Sequence, residues 1–318
     1  MKLASLLLAT LFSSSFAAVP PPVQCSSANV PVLSVHRRLE KNAELLGRSV
    51  TTKRDEFKVT RIRLLDYVIT VAEGHKISWT ADHVARDINR GEYNLRQFKI
   101  ANNGRGATML DLASNVGMTA VLVAKMYPQI RIVGIEASPT NWAAAQYNLV
   151  ANGVADRVTI YHAGLSSDGC PITFYESVKN PGASSAVLDF FERGSHWQWA
   201  GNFSYEVQSI TVSELLELSG LRVSNDSSAA VSTHIPLIKF DCEGCEYTVL
   251  PSLSEPIAAL FRTALLFGEV HADRMTVPPA TQSLVHGFYD GYDCCPRPGK
   301  MWPPKHGRTR LPRGVKLN

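Results

Sequence analysis

The chain has 318 residues, 45% hydrophobic and 19% charged, with 21 Gly and 18 Pro. Those proportions exclude a collagen-like, coiled-coil or wholly disordered chain, and the length suits one to two domains around a large core. Net charge is +4, but residues 296–318 hold seven Lys/Arg and no acid, which leaves the remainder at −3. A body so close to neutral gives no ground for a nucleic-acid partner.

Met1-Lys2 is followed by an apolar stretch, Leu3 to Phe12, and a small-residue exit, Ser13 to Ala17. This pattern predicts a signal peptide over 1–17, cleaved before Ala18. The apolar stretch is shorter than the ~20 residues of a spanning helix. The chain is therefore expected in the secretory pathway, secreted or in the ER/Golgi lumen, with no integral membrane segment after cleavage. Val19-Pro-Pro-Pro22 makes a stiff leader. In an oxidising lumen the six cysteines (25, 170, 242, 245, 294, 295) permit disulfides of open connectivity. The sequons Asn202-Phe-Ser and Asn225-Asp-Ser agree with that route.

Residues 18–104 are expected to form a mostly helical extension. Charged and apolar positions alternate at helical spacing over 35–100, and Leu64–Val71 is one such stretch. Asn102–Gly106 is a loop by its turn chemistry. An α/β pattern follows over 105–275. A strand is expected over Thr108–Ala113, a helix over Gly117–Met126 and a strand over Arg131–Glu136. A helix then runs from Pro139 to about Ala151, followed by a strand over Arg157–His162. Ser166–Ser204, broken by Gly, Pro and Ser, reads as an insertion or lid. Its His196, Trp197 and Trp199 either anchor the loop or stack on a sugar face. Gln208–Val212 leads into the apolar helix Leu215-Leu-Glu-Leu218. A strand over His234–Asp241, a helix after Gly244 and a strand over Ala264–His271 complete the pattern. Residues 276–318 read as a Pro-rich basic tail. Strands separated by helix-length segments predict a mostly parallel sheet with helices on both faces and ligands beyond its carboxyl ends.

Four strand ends carry the chemistry. In Met109–Thr119 a buried strand reaches Asp111, and a small-residue loop opens a helix whose amides favour an anionic group. Neither G-x-G-x-x-G nor a P-loop is present. Glu136 ends the second strand, where a carboxylate can accept both hydroxyls of a ribose. The alternative for Asp111 and Glu136 is helix capping. Asp241, Glu243 and Glu246 crowd three acids at one strand end, a costly arrangement without a nearby cation or proton. Glu269 and His271 alternate onto one face. Cys242-Glu-Gly-Cys245 is formally C-x-x-C, which allows a thiol–disulfide oxidoreductase, a structural 242–245 disulfide, or pairing with Cys294/Cys295.

In order and spacing, Asp111–Gly117, Gly134–Pro139, Ala163–Ser166, Ile238–Glu246 and Glu269–His271 resemble the successive motifs of FkbM-type methyltransferases. The resemblance implies a class I methyltransferase (Rossmann-like) sheet and S-adenosyl-L-methionine as cofactor. It puts Asp111, Ala113, Asn115 and Gly117 at the methionine moiety. Glu136, with Ala137 beside it, is then at the ribose, and Gly164 and Leu165 are by the adenine. Asp241, Glu243 and His271 become catalytic, and Glu246 and Glu269 turn toward the acceptor. The family usually has Gly where Ala113 stands. The implied reaction is O-methylation of a hydroxyl on a sugar, lipid or small metabolite, driven mostly by positioning. Asp241 or His271 would take the proton, His271 being favoured by its ordinary pKa. The alternatives are a core His271 bonded to Glu269, and a catalytically inactive binding module on the same fold. No ligand spacing diagnostic of a metal is present, and none is expected.

Overall fold

The computed structural model describes residues 58–73, 80–91, 93–177, 181–193, 203–221, 234–271 and 276–289. The expected signal peptide and leader, His196, Trp197, Trp199, Asn202, Asn225, Cys294 and Cys295 lie outside these residues.

Among the described residues the extension begins with an antiparallel hairpin rather than a helix, β1 (Lys58–Leu64) and β2 (Tyr67–Glu73). The two strands meet across Leu65-Asp66, with Leu65 at φ 54°. The helical reading of Leu64–Val71 fails for a physical reason. Val68, Ile69, Thr70 and Val71 are all β-branched and stiff about χ1. Ile69 and Val71 are buried, while Val68 between the turn and Ile69 is exposed, a period of two. Helix α1 (Thr80–Arg90) and two 3₁₀ turns are the helical parts of the extension among the described residues.

Beyond the loop the alternating pattern holds. Strand β3 (Ala107–Leu112) leads to α2 (Met118–Met126), β4 (Arg131–Glu136) to α3 (Pro139–Ala151), and β5 (Val158–His162) follows. Ser138 caps α3 through Oγ, which accepts the Asn141 N–H, and Pro139 occupies the first turn. Strand β6 (Gly164–Leu165) precedes the expected insertion, β7 (Ile172–Glu176) and the short α4 (Leu188–Arg193) lie inside it, β8 (Phe203–Val207) crosses its end and β9 (Ser209–Ile210) follows. Strand β7 pairs antiparallel with β8, and β6 pairs parallel with β9. Then come α5 (Val212–Leu218), β10 (His234–Phe240), α6 (Glu246–Val249), α7 (Glu255–Thr263), β11 (Leu265–Phe267) and α8 (Pro279–Tyr289).

The central sheet has five strands in the order β11-β10-β3-β4-β5, and every pairing is parallel. Alternation along β3 sends Met109 into one buried layer and Leu110 and Leu112 into the other. The first layer holds α2, α3 and the hairpin, and the second holds α5 to α8. Helix α2 is buried from Met118 to Ala124 because the sheet lies beneath it and the hairpin above it. Asn148 of α3 and Asn152, its C-cap, reach across to β2. Asn148 Oδ1 accepts the Ala72 N–H at 2.6 Å and Asn148 Nδ2 donates to Ala72 O at 3.1 Å. Asn152 does the same with Thr70, at 3.0 and 2.7 Å.

Helix α8 corrects the expected tail. Val285, Phe288 and Tyr289 are buried on one helical face and pack in the second layer, so the domain runs past residue 275. The basic residues of 290–318 lie outside the described residues. No helix of the described residues is long and apolar enough to cross a membrane.

Candidate active site

Strand order reverses between β3 and β10, and a crevice opens beyond the carboxyl ends there. A cavity of about 300 Å³ occupies it, walled by the ends of β3, β4 and β10, by α1, and by the segment from Phe174 to Ala186. Nine of the expected residues line it: Ala113, Asn115, Glu136, Ala137, Leu165, Asp241, Glu243, Glu269 and His271.

The loop after β3 turns through alternate left-handed residues, Ala113 at φ 77°, Asn115 at φ 54° and Gly117 at φ 74°. The Ser114 N–H donates to Ile135 O, and its Oγ to Asp111 O. That packing requires Gly134, since a Cβ there would stand 2.3 Å from Ser114 Oγ. Glu136 fastens the loop: Oε2 accepts the Asn115 N–H at 2.7 Å and Oε1 the Ser138 N–H at 2.9 Å. Burial pushes its carboxyl up to about 7, against the pull of those two amides and with a further push from Glu176.

Four expected residues stand behind the wall. Gly117 begins α2, and a Cβ there would lie 3.3 Å from Ala145. Gly164 packs under Ile172, and its N–H donates to Gln208 O. Asp111 is fully buried, and neither of its oxygens accepts a hydrogen bond of normal geometry. Glu246 is fully buried beneath the Asp241–Cys245 turn.

What reaches Asp111 is Lys239. Lys239 is not among the expected site residues, although a lone cation in the apolar run Leu237-Ile-Lys-Phe is a signal. Its Nζ lies 3.8 Å from Asp111 Oδ1 and 3.6 Å from Asp241 Oδ2, and donates to Ala113 O at 2.9 Å. Burial opposes its charge, but Asp241 and Asp111 outweigh that and raise its pKa. Burial raises the Asp111 carboxyl. For Asp241, burial is outweighed by Lys239 and His271, so this carboxyl is lowered. A second residue missed in the sequence, Tyr93, donates its hydroxyl to Asp241 Oδ2 at 2.7 Å.

Strand β11 stops at Phe267, short of the expected His271. At Gly268, φ 130°, a Cβ would strike Phe240 O at 2.1 Å, so the chain leaves the sheet. Glu269 and His271 nevertheless meet, as expected. His271 Nε2 is 3.3 Å from Glu269 Oε2, 3.5 Å from Glu243 Oε2 and 4.0 Å from Asp241 Oδ1. Its Nδ1 is 3.1 Å from Glu246 Oε1. Burial works against the imidazolium, but Glu243 and Glu246 prevail and raise its pKa well above the ordinary value. This reverses the choice of His271 as base, because a ring already protonated at neutral pH accepts no proton. Asp241, Glu269 and His271 also bring one ligand-type atom each within 4.8 Å of one another, a grouping that their sequence spacing did not disclose.

Residues 100–284 match a family model described as Methyltransferase FkbM domain. A similar curated protein, Methyltransferase sdnD of Sordaria araneosa, is 24% identical over 181 residues, 53% of this chain and 69% of its own. Among solved structures, one similar chain is a SAM-dependent methyltransferase from Geobacter sulfurreducens in complex with S-adenosyl-L-homocysteine. It is 26% identical over 23% of this chain and 34% of that one, with a TM-score of 0.18. Another is an O-methyltransferase family 2 protein from Planctomyces limnophilus in complex with apigenin. It is 22% identical over 26% of each chain, with a TM-score of 0.21. The matches thus span about a third or less of those solved chains.

Proposed function

Because the chain belongs to the FkbM methyltransferase family, we propose that it uses S-adenosylmethionine to O-methylate a hydroxyl of a sugar, lipid or small metabolite. The observation that carries this reading is Glu136, a buried carboxylate on the cavity wall at the end of β4. Burial raises its pKa although two amides already donate to it, so the two hydroxyls of a ribose, as further donors, would favour its ionised form. The acids around Asp241 equally suit a cationic ligand.

When bound, S-adenosylmethionine supplies an electrophilic methyl group on a sulfonium. Glu136 would accept the ribose hydroxyls, and Ala113 and Asn115, which line the same cavity, would hold the methionine part. Lys239 ties the loop after β3 to Asp241, so the two ends of the cavity are held in fixed relation. Asp241, kept ionised by Lys239 and His271, accepts the hydrogen bond of the attacking hydroxyl and takes its proton. His271 stays charged and gathers Glu243, Glu246 and Glu269 around itself. Alignment inside the cavity contributes the larger share of the rate.

Calorimetry with S-adenosylmethionine tests the reading, with one saturable site expected. No heat at millimolar cofactor would reduce the domain to a binding module. A labelled-methyl assay across glycans and small polar alcohols then identifies the acceptor. The secretory reading of residues 1–17 is proposed alongside; it rests on their pattern and the two sequons, and the exported protein should begin at Ala18 by N-terminal sequencing.

A further inference from the structure

A disulfide joins Cys242 to Cys245, and both cysteines line the cavity. Between them stand Glu243 at φ 57° and Gly244 at φ 107°. A side chain with a Cβ is disfavoured in the left-handed region. Three ties hold Glu243 there. Glu246 accepts the N–H groups of Cys242 and Gly244 at 3.1 and 2.9 Å. Ser185 Oγ donates to Glu243 O at 2.7 Å. The disulfide closes a covalent ring around both residues. In this conformation the Glu243 carboxylate stands 3.5 Å from His271 Nε2.

We propose that the Cys242–Cys245 disulfide is a positioning element of the active site: it holds the Glu243 carboxylate against His271, so that methyl transfer runs in the oxidised protein and slows when the pair is reduced. A ring this short constrains the unfolded chain less than a long one does, so the effect of opening it falls chiefly on the turn it closes. The reductant is a dithiol. Its thiolate attacks the Sγ of Cys242, the less buried of the two residues, and releases Cys245 as the thiolate. The second thiol then displaces Cys242 and closes the reductant's own disulfide. Two electrons and two protons pass to the cysteines. With the ring open, Glu243 relaxes to negative φ and its carboxylate leaves the imidazole. Glu136 and the loop after β3 lie on other strands, so cofactor binding stays as it was.

The activity arm of the test rests on the methyltransferase reading, but the spectroscopic arm does not. The full chain, labelled with ¹⁵N-histidine, is compared in its oxidised form, after dithiothreitol, and as the Cys242→Ser/Cys245→Ser double variant. The His271 ring resonances, assigned by their loss in His271→Gln, should move on reduction and take the same position in the double variant. The rate constant kcat should fall about tenfold while S-adenosylmethionine affinity stays within threefold. The double variant should match the reduced protein and ignore dithiothreitol. Unmoved His271 resonances, or full activity in the reduced protein and the double variant, would overturn the proposal. So would a double variant that loses cofactor binding and melts well below the parent, which marks a plain structural staple. A protein that transfers no methyl group refutes the functional reading alone, because the His271 resonances still decide this one.

Discussion

Lowering the pH from 8 to 6 should weaken S-adenosylmethionine binding about tenfold through Glu136. In the unliganded protein burial holds this carboxyl at about 7. Two ribose hydroxyls donating to it stabilise the ionised form, so the complex has the lower pKa. Affinity then follows the ionised fraction of the free protein, roughly 0.9 at pH 8, 0.5 at pH 7 and 0.1 at pH 6. The sign is fixed: affinity is present above the free pKa and lost as pH falls through it. Glu136→Gln removes the titration and one charge-assisted acceptor. Hydrogen bonds to charged groups are worth about 1.5–3 kcal/mol, so the variant should bind about 10- to 100-fold more weakly at pH 8. Calorimetry on both proteins from pH 6 to 8 gives the answer in the ratio of affinities, which cancels titration of the cofactor's own amine. That ratio should shrink about tenfold across the range. A constant ratio would refute the placement of the ribose on Glu136.

Three further changes probe the rest of the site. Lys239→Met leaves Asp111 and Asp241 without their buried cation and should cost about 3–5 kcal/mol in urea unfolding; an unchanged midpoint would contradict the ion-pair geometry. Ala113→Gly frees a residue at φ 77°, a strain of roughly 1–2 kcal/mol that the flexibility of glycine partly offsets. The melting temperature should not fall, and cofactor affinity should rise severalfold; weaker binding would show that the methyl group of Ala113 makes a useful contact. Tyr93→Phe removes a donor to Asp241 and should lower kcat about tenfold with cofactor affinity unchanged, whereas an unaffected kcat would take Asp241 out of the proton's path.

Strand β4 and helix α3 were legible to the residue because their signals are local. An apolar run ends in Glu136, and Ser138-Pro139 starts a helix by capping chemistry. The hairpin was not legible, since its Val, Ile and Thr positions satisfy a helical spacing as readily as a strand's. What decides is a distant surface, the faces of α2 and α3 that β2 covers. Helix α8 was hidden by the Pro- and Arg-rich sequence after it. At the site, Glu136, Asp241, Glu243, Glu269 and His271 were found because strand ends concentrate them. The role of Lys239 depends on partners carried by two strands, and Tyr93 comes from outside the α/β pattern. The charge of His271 could not be read either, because it depends on which carboxylates surround the ring.

Asn148 and Asn152 do for β2 what another strand would do. Each side-chain amide exchanges a donor and an acceptor with one main-chain residue, and the two sit at alternate positions along the strand. An exposed edge of this kind invites pairing with a second chain, and here side chains occupy its main-chain groups at Thr70 and Ala72. The same bonds set the folding unit. The family match begins at residue 100. A chain cut there would strand the buried amide of Asn148 and strip the cover from a helix that has no polar face of its own. The smallest piece that keeps this cofactor domain intact therefore starts at or before Lys58.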